Sequence, residues 1–150
     1  MGRADGDRLV FGLAGGDSLG FAGFGDPGGV PCLAFHGWSS SRLMPGWMVP
    51  PGLLTAAGVR MIGVDRPGYG LSSVPWVTGF SDWPRAVRAL ADHLGLGWFA
   101  VLAHSLGSAF GWPAGPPWGT GWRSSWSPVG MGPVQPGARF HAGSGVDNLY

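Results

Sequence analysis

The sequence contains no lysine and no glutamate. All nine basic residues are arginine and all eight acids are aspartate, so only 11% of the chain is charged, against about 25% in an average domain. Net charge is +1. With no basic cluster, nucleic-acid binding has no electrostatic footprint. Cysteine is almost absent too. Cys32 stands alone, which excludes an internal disulfide, and no Cys/His spacing suits a metal ion. No apolar run approaches the length of a membrane span. The opening residues, Met1-Gly-Arg-Ala-Asp-Gly-Asp-Arg8, are polar and lack the apolar core of a secretory leader. Gly6 stands where a myristoylation signal needs Ser or Thr. These absences leave a cytoplasmic protein that meets no membrane and no nucleic acid as the expectation.

Other residues are abundant. Glycine contributes 30 positions, proline 14 and tryptophan 9, and 45% of the chain is apolar. At 150 residues the chain holds one domain at most, with enough apolar residues for a sizeable core. The bias toward Gly, Ala, Pro, Arg and Trp suits a gene rich in G and C.

The chain is organised around Trp98-Phe-Ala-Val-Leu-Ala-His-Ser-Leu-Gly107. An apolar run over 98–103 stops at His104-Ser105, and 106–110 can open a helix. The pattern predicts a strand, a sharp turn with Ser105 at its tip, and a helix. Small residues flank the turn at Ala103 and Gly107. A serine so held sits at strained backbone angles, and strand and helix can pass closely only if its neighbours two positions away are small. The Leu106 amide then faces any charge that develops beside the hydroxyl. A buried strand running into a helix cap is the plainer reading of the same residues.

Upstream, residues 8–14 and 18–24 flank Gly15-Gly-Asp17 as a hairpin. Gly25-Asp-Pro-Gly-Gly29 reads as a loop. Val30–Phe35 is a buried strand ending at His36-Gly37-Trp38. Residues 39–52 read as loop, and 53–57 as a short helix stopped by Gly58. Val59–Val64 is a second buried strand, followed by Asp65-Arg-Pro-Gly68-Tyr-Gly70-Leu-Ser72. Ser81 is expected to cap a helix, with Asp82 in its first turn and Pro84 tolerated there. Trp83, Val87, Leu90 and Leu94 form its apolar stripe, and Gly95 or Gly97 ends it. Apolar strands alternating with helices predict an α/β fold, a parallel sheet with helices on both faces. The strands Val30–Phe35, Val59–Val64 and 98–103 are expected as neighbours, with 98–103 central.

Three motifs therefore stand at the carboxyl ends of three strands, where sheets of this kind bind ligands. Phe35-His36-Gly37, Asp65-x-x-Gly68-x-Gly70-x-Ser72 and Ala103-His104-Ser105-Leu-Gly107 together resemble the α/β-hydrolase superfamily, in its esterase-like, serine-nucleophile branch. The resemblance covers residues 8–110. It implies that Ser105 is a nucleophile and that the backbone N–H groups of Trp38 and Leu106 form an oxyanion hole. Trp38 as plain loop packing is the alternative. His36 is expected to hold its loop by hydrogen bonds, and Asp65 to accept backbone donors in its own turn. His104 is expected to line the pocket or pack, and His93 to be solvated at a helix end. Gly68-x-Gly70-x-x-Ser73 lacks the third glycine of a dinucleotide fingerprint. No cofactor and no metal is expected, and the implied partner is a small-molecule substrate.

The pattern changes after Phe110. The superfamily continues with a helix, a strand, and later an acid and a histidine in the order Ser, Asp, His. Residues 111–126 instead read Gly-Trp-Pro-Ala-Gly-Pro-Pro-Trp-Gly-Thr-Gly-Trp-Arg-Ser-Ser-Trp, with prolines that break helices. The later candidates, His141 and Asp147, come in reverse order. The expected organisation is thus a truncated α/β-hydrolase domain over 1–110 and an irregular Gly/Pro/Trp-rich tail over 111–150. A shifted reading frame near 111 would account for the tail, and the gene's nucleotide sequence tests that. Two function classes follow. One is a serine hydrolase of esters or similar acyl bonds, impaired because its base and acid are missing. The other is a non-catalytic remnant that binds a small molecule. A cofactor-free haloperoxidase-like enzyme shares the serine, whereas dehalogenases and epoxide hydrolases usually carry aspartate at that turn. An uncovered sheet edge and the Trp-rich segment predict self-association.

Overall fold

The computed structural model describes residues 9–111. Two short strands, β1 (Leu9–Gly12) and β2 (Ser18–Gly25), pair antiparallel as the expected hairpin. Then follow β3 (Val30–Phe35), α1 (Met44–Met48), α2 (Leu53–Ala56), β4 (Val59–Val64), α3 (Trp83–His93) and β5 (Ala100–Ala103). A single 3₁₀ turn, Ser105–Gly107, leads into α4 (Ser108–Gly111).

The sheet runs in the order β1-β2-β4-β3-β5. β3 lies parallel to both β4 and β5. β2 joins β4 antiparallel, Phe21 opposite Val64 and Gly25 opposite Arg60. The sheet is therefore mixed rather than purely parallel. A hairpin added on the β4 side must enter antiparallel, because β2 reaches β3 through a tight loop, not a crossover helix.

Side-chain alternation divides the core into two layers. Leu33 and Phe35 of β3 face Ile62, Val64, Val101 and the α3 residues Trp83, Val87 and Leu90. Cys32 and Ala34, on the opposite face, meet Met61, Met44 of α1 and, at the margin, Leu54 of α2. The period of two along each strand produces this split, and helices cover both faces as expected.

Four further expectations change. Among the described residues the central position belongs to β3, not to 98–103. β5 is shorter than the apolar run, since Trp98 and Phe99 precede it; Trp98 is half-exposed while Phe99 is buried, so hydrophobicity there serves packing before the strand starts. Residues 44–48 are helical, although they were expected in a loop. Pro45 sits in the first turn of α1, where its missing N–H costs nothing. The N-cap of α3 is Asp82 rather than Ser81. Its carboxylate turns back instead, accepting the Thr78 N–H at 3.0 Å, the Thr78 hydroxyl at 3.1 Å and the Gly79 N–H at 3.2 Å. Those bonds hold it below the usual carboxylate range. Gly95 ends α3 in the left-handed region, with the Leu96 N–H closing onto the Ala91 carbonyl.

Among the described residues no helix is long and apolar enough to cross a membrane. The 112–150 tail, with His141 and Asp147, lies outside them, as do residues 1–8 and the reading-frame expectation.

Candidate active site

The site begins with topology. After β3 the chain leaves toward the face of α1 and α2. After β5 it leaves toward the opposite face, where Phe110 of α4 joins the layer of Trp83 and Leu90. Adjacent parallel strands whose exits part in this way open a crevice at their carboxyl ends. The loop at His36-Gly37-Trp38 and the turn at Ser105 form its two walls.

Ser105 occupies the left-handed region at φ 51°. A non-glycine residue is uncommon there. Ser39, just past Trp38, is the other non-glycine residue with positive φ among those described. Both strained positions lie beside one crevice, which is where such strain gathers. The Ser105 side chain is exposed and Gly107 is buried. A Cβ at Gly107 would overlap the carbonyl oxygen of Phe35 and crowd that of His36 at 2.7 Å. The glycine is thus required for the helix after the turn to pass over the end of β3. Behind it, Phe110 stacks edge-on against Trp83 at 5.8 Å and Phe80 at 5.0 Å.

Gly37 connects the two walls. A Cβ placed there would lie 2.9 Å from His104 Nδ1 and 3.1 Å from the Ser105 Cβ. Trp38, next along, is 73% exposed and Leu106 40%, so the two residues whose N–H groups flank the turn present open, apolar side chains. Neither the Trp38 nor the Leu106 N–H donates to another described residue.

His36 is fully buried. Its Nδ1 donates to the Gly37 carbonyl at 2.9 Å, and its Nε2 accepts the Arg66 N–H at 3.2 Å. These partners require the neutral ring with the proton on Nδ1. Burial holds its pKa below the usual imidazole range, against the opposing hydrogen bond to Gly37; the nearby Arg66 lowers it further and Asp65 raises it.

Asp65 is also fully buried. Its carboxylate accepts the Arg42 N–H and the Arg42 Nη1 at 2.8 Å, and the Leu71 N–H at 2.9 Å. Such a saturated carboxylate is a structural anchor. Gly70, in the left-handed region, packs so closely on it that a Cβ would collide with Oδ2. Gly68 also has positive φ but open space around it. Ser72 donates to the Asp65 carbonyl at 2.8 Å and accepts the Gly20 N–H at 3.0 Å, tying the turn to the hairpin.

His104 is half-buried against Gly37, with no hydrogen bond to the Ser105 hydroxyl. His93 stacks on Phe11 with centroids 4.4 Å apart, on the hairpin side. Burial pushes the Cys32 thiol up to about 12, which removes it as a nucleophile. Among the described residues no group of His, Cys or Asp could hold a metal ion.

Two buried arginines escaped the sequence reading. Arg42 pairs with Asp65, and Arg66 donates to the Gly37 carbonyl at 3.0 Å. The available signal was an arginine directly after a strand in a chain with little charge.

A profile of the alpha/beta hydrolase fold matches residues 31–114, more than half of the chain. The chain belongs to the alpha/beta hydrolase fold family. Solved structures of hydrolases align with it. An esterase from Exiguobacterium antarcticum is 26% identical with a TM-score of 0.54, over 69% of this chain and 37% of that one. At 20% identity and a TM-score of 0.55, a structure from a study of carboxylesterases of Nitrososphaera gargenis aligns over 67% and 37% of the two chains. An epoxide hydrolase mutant from Aspergillus niger is 21% identical with a TM-score of 0.60, over 80% and 34%. The last two likenesses concern the fold alone. This alpha/beta hydrolase chain thus spans under two-fifths of the length of each of these three structures.

Proposed function

We propose that this chain carries the nucleophile and oxyanion hole of a serine hydrolase for esters or similar acyl bonds. One observation carries the reading: Ser105, exposed and strained at the end of β5, stands against Gly37, with N–H groups at Trp38 and Leu106 that donate to no other described residue. The Ser105 oxygen attacks the acyl carbon, and the carbonyl π electrons move onto oxygen. The Trp38 and Leu106 N–H groups hold that oxyanion. Collapse re-forms the carbonyl and expels the alkoxide, which takes up the proton that the Ser105 hydroxyl gives up as it attacks. Water then cleaves the acyl-serine to the acid and the free hydroxyl. The exposed Trp38 and Leu106 side chains favour an apolar group next to the carbonyl. Serine in place of aspartate at this turn argues against epoxide opening.

The reaction needs a base within hydrogen-bond reach of Ser105. Among the described residues none is placed so. Removal of a triad member leaves roughly 10³–10⁴-fold acceleration over water, and the chain should show only that. This same observation supports the second reading, a hydrolase-like protein that binds a small molecule without turning it over. Hydrolysis of p-nitrophenyl acetate and butyrate by the full chain, beside Ser105→Ala, separates the two. Slow hydrolysis lost in Ser105→Ala supports the nucleophile. Identical rates in both proteins support the binder. Turnover above about 1 s⁻¹, within the range of ordinary enzymes, would show that the base has been supplied and overturn the impairment.

A further inference from the structure

Arg66 is 3% exposed, and among the described residues no carboxylate pairs with it. Its Nη2 donates to the Gly37 carbonyl at 3.0 Å. The guanidinium also lies over the Tyr69 ring at 4.3 Å and the Phe110 ring at 5.0 Å, while its Nε has no partner among the described residues. A buried cation without a carboxylate partner is costly, and here the carbonyl and two ring faces are what offset that cost.

The carbonyl it holds is informative. Gly37 C=O and Trp38 N–H are the two ends of one peptide group. No cis peptide is present, so they point in opposite directions. The Gly37 carbonyl accepts from both His36 Nδ1 and Arg66 Nη2. Two donors on one carbonyl fix the plane of the peptide, and with it the direction of the Trp38 N–H. A charged donor also polarises the amide, so the N–H at its far end becomes a stronger donor. Arg66 is in turn anchored by its own N–H to His36 Nε2. The three groups form a closed loop around one peptide.

We infer that Arg66 is a positioning residue for the oxyanion hole. By holding the Gly37 carbonyl with His36, it aims and polarises the Trp38 N–H toward the oxygen that develops beside Ser105. This rests on the reading of Ser105 as nucleophile. Arg66 touches neither substrate nor serine.

The test uses the full chain with Arg66→Met, which keeps length but loses charge and donors, and Arg66→Lys, which keeps the charge. Two readouts are taken: the Ser105-dependent acylation rate with p-nitrophenyl acetate, and the amide signal of Trp38 in ¹⁵N–¹H NMR spectra. Loss of a direct oxyanion donor costs about 10²–10³-fold in rate, so loss of its positioner should cost about tenfold. That loss should fall on kcat with KM unchanged. Arg66→Lys should recover part of the rate, and the Trp38 amide should shift more than its neighbours in Arg66→Met. Unchanged rate and an unmoved Trp38 amide would overturn the inference. If Arg66→Met does not fold, Arg66→Lys decides: a graded rate loss at unchanged Tm supports positioning, and a wild-type rate refutes it. If the wild-type chain shows no Ser105-dependent acylation, the nucleophile reading fails. The Trp38 amide still reports whether Arg66 controls that peptide, and an unmoved signal refutes the control.

Discussion

At the scale of single residues, the site is built from backbone constraint and buried hydrogen bonds. Gly107 allows α4 to cross the end of β3, where a Cβ would meet the Phe35 and His36 carbonyls. Backbone oxygens of a central strand cannot withdraw as a flexible side chain can. Gly107→Ala should therefore destabilise by about 2–4 kcal/mol, read as a lower urea midpoint. His36 gives a pH signature. Its ring must be neutral to accept the Arg66 N–H, and burial lowers its pKa in the folded chain. Arg66, Asp65 and Tyr69 are the ionisable groups that face it. Above about pH 6.5, the ordinary histidine value, the ring is neutral folded and unfolded. As pH falls below that, the unfolded chain takes up a proton that the folded chain refuses, so stability declines toward the lowered folded pKa. Urea midpoints at pH 7.5 and 5.5 should differ more in the wild type than in His36→Gln. Equal differences would place the acid sensitivity elsewhere.

Among the elements, α3 is the clearest case of sequence dictating packing. Trp83, Val87 and Leu90 are each fully buried, on the stripe that their spacing of four and three defines. Leu90→Asp places an unpaired charge in that layer and should cost several kcal/mol. Arg88→Ala, on the exposed face, removes only a surface pair with Asp92 and should change stability by no more than about 0.5 kcal/mol. Thermal melts of the two variants check both. If Leu90→Asp melts like Arg88→Ala, α3 does not pack as described. Periodicity also made the hairpin, β3 and β4 legible, since continuous apolar runs bounded by glycine fit little else. Its reach was shorter where tertiary contacts decide. The start of α1 depends on Met44 finding the layer of Cys32 and Met61, which no local pattern announces. Likewise Phe99 looks like strand but packs ahead of it. The serine turn was readable because its strain demands small residues at fixed offsets. Arg66 and Arg42 were not, because their partners lie 29 and 23 positions away, and such distances leave no local trace.

For the whole molecule, the described residues form a five-stranded mixed sheet whose candidate site lies at the carboxyl ends of β3 and β5. Fold and family follow from this sheet and its motifs, whereas the proposed chemistry depends on Ser105. Covalent labelling tests that dependence most directly, because it needs nucleophile and oxyanion hole but no turnover. The full chain is incubated with excess fluorophosphonate, digested, and its adducts located by mass spectrometry, beside Ser105→Ala. The account predicts one slowly formed adduct, on Ser105, and none in the variant. No adduct, or label spread over Ser39, Ser41 and Ser73 and unchanged in Ser105→Ala, would contradict it.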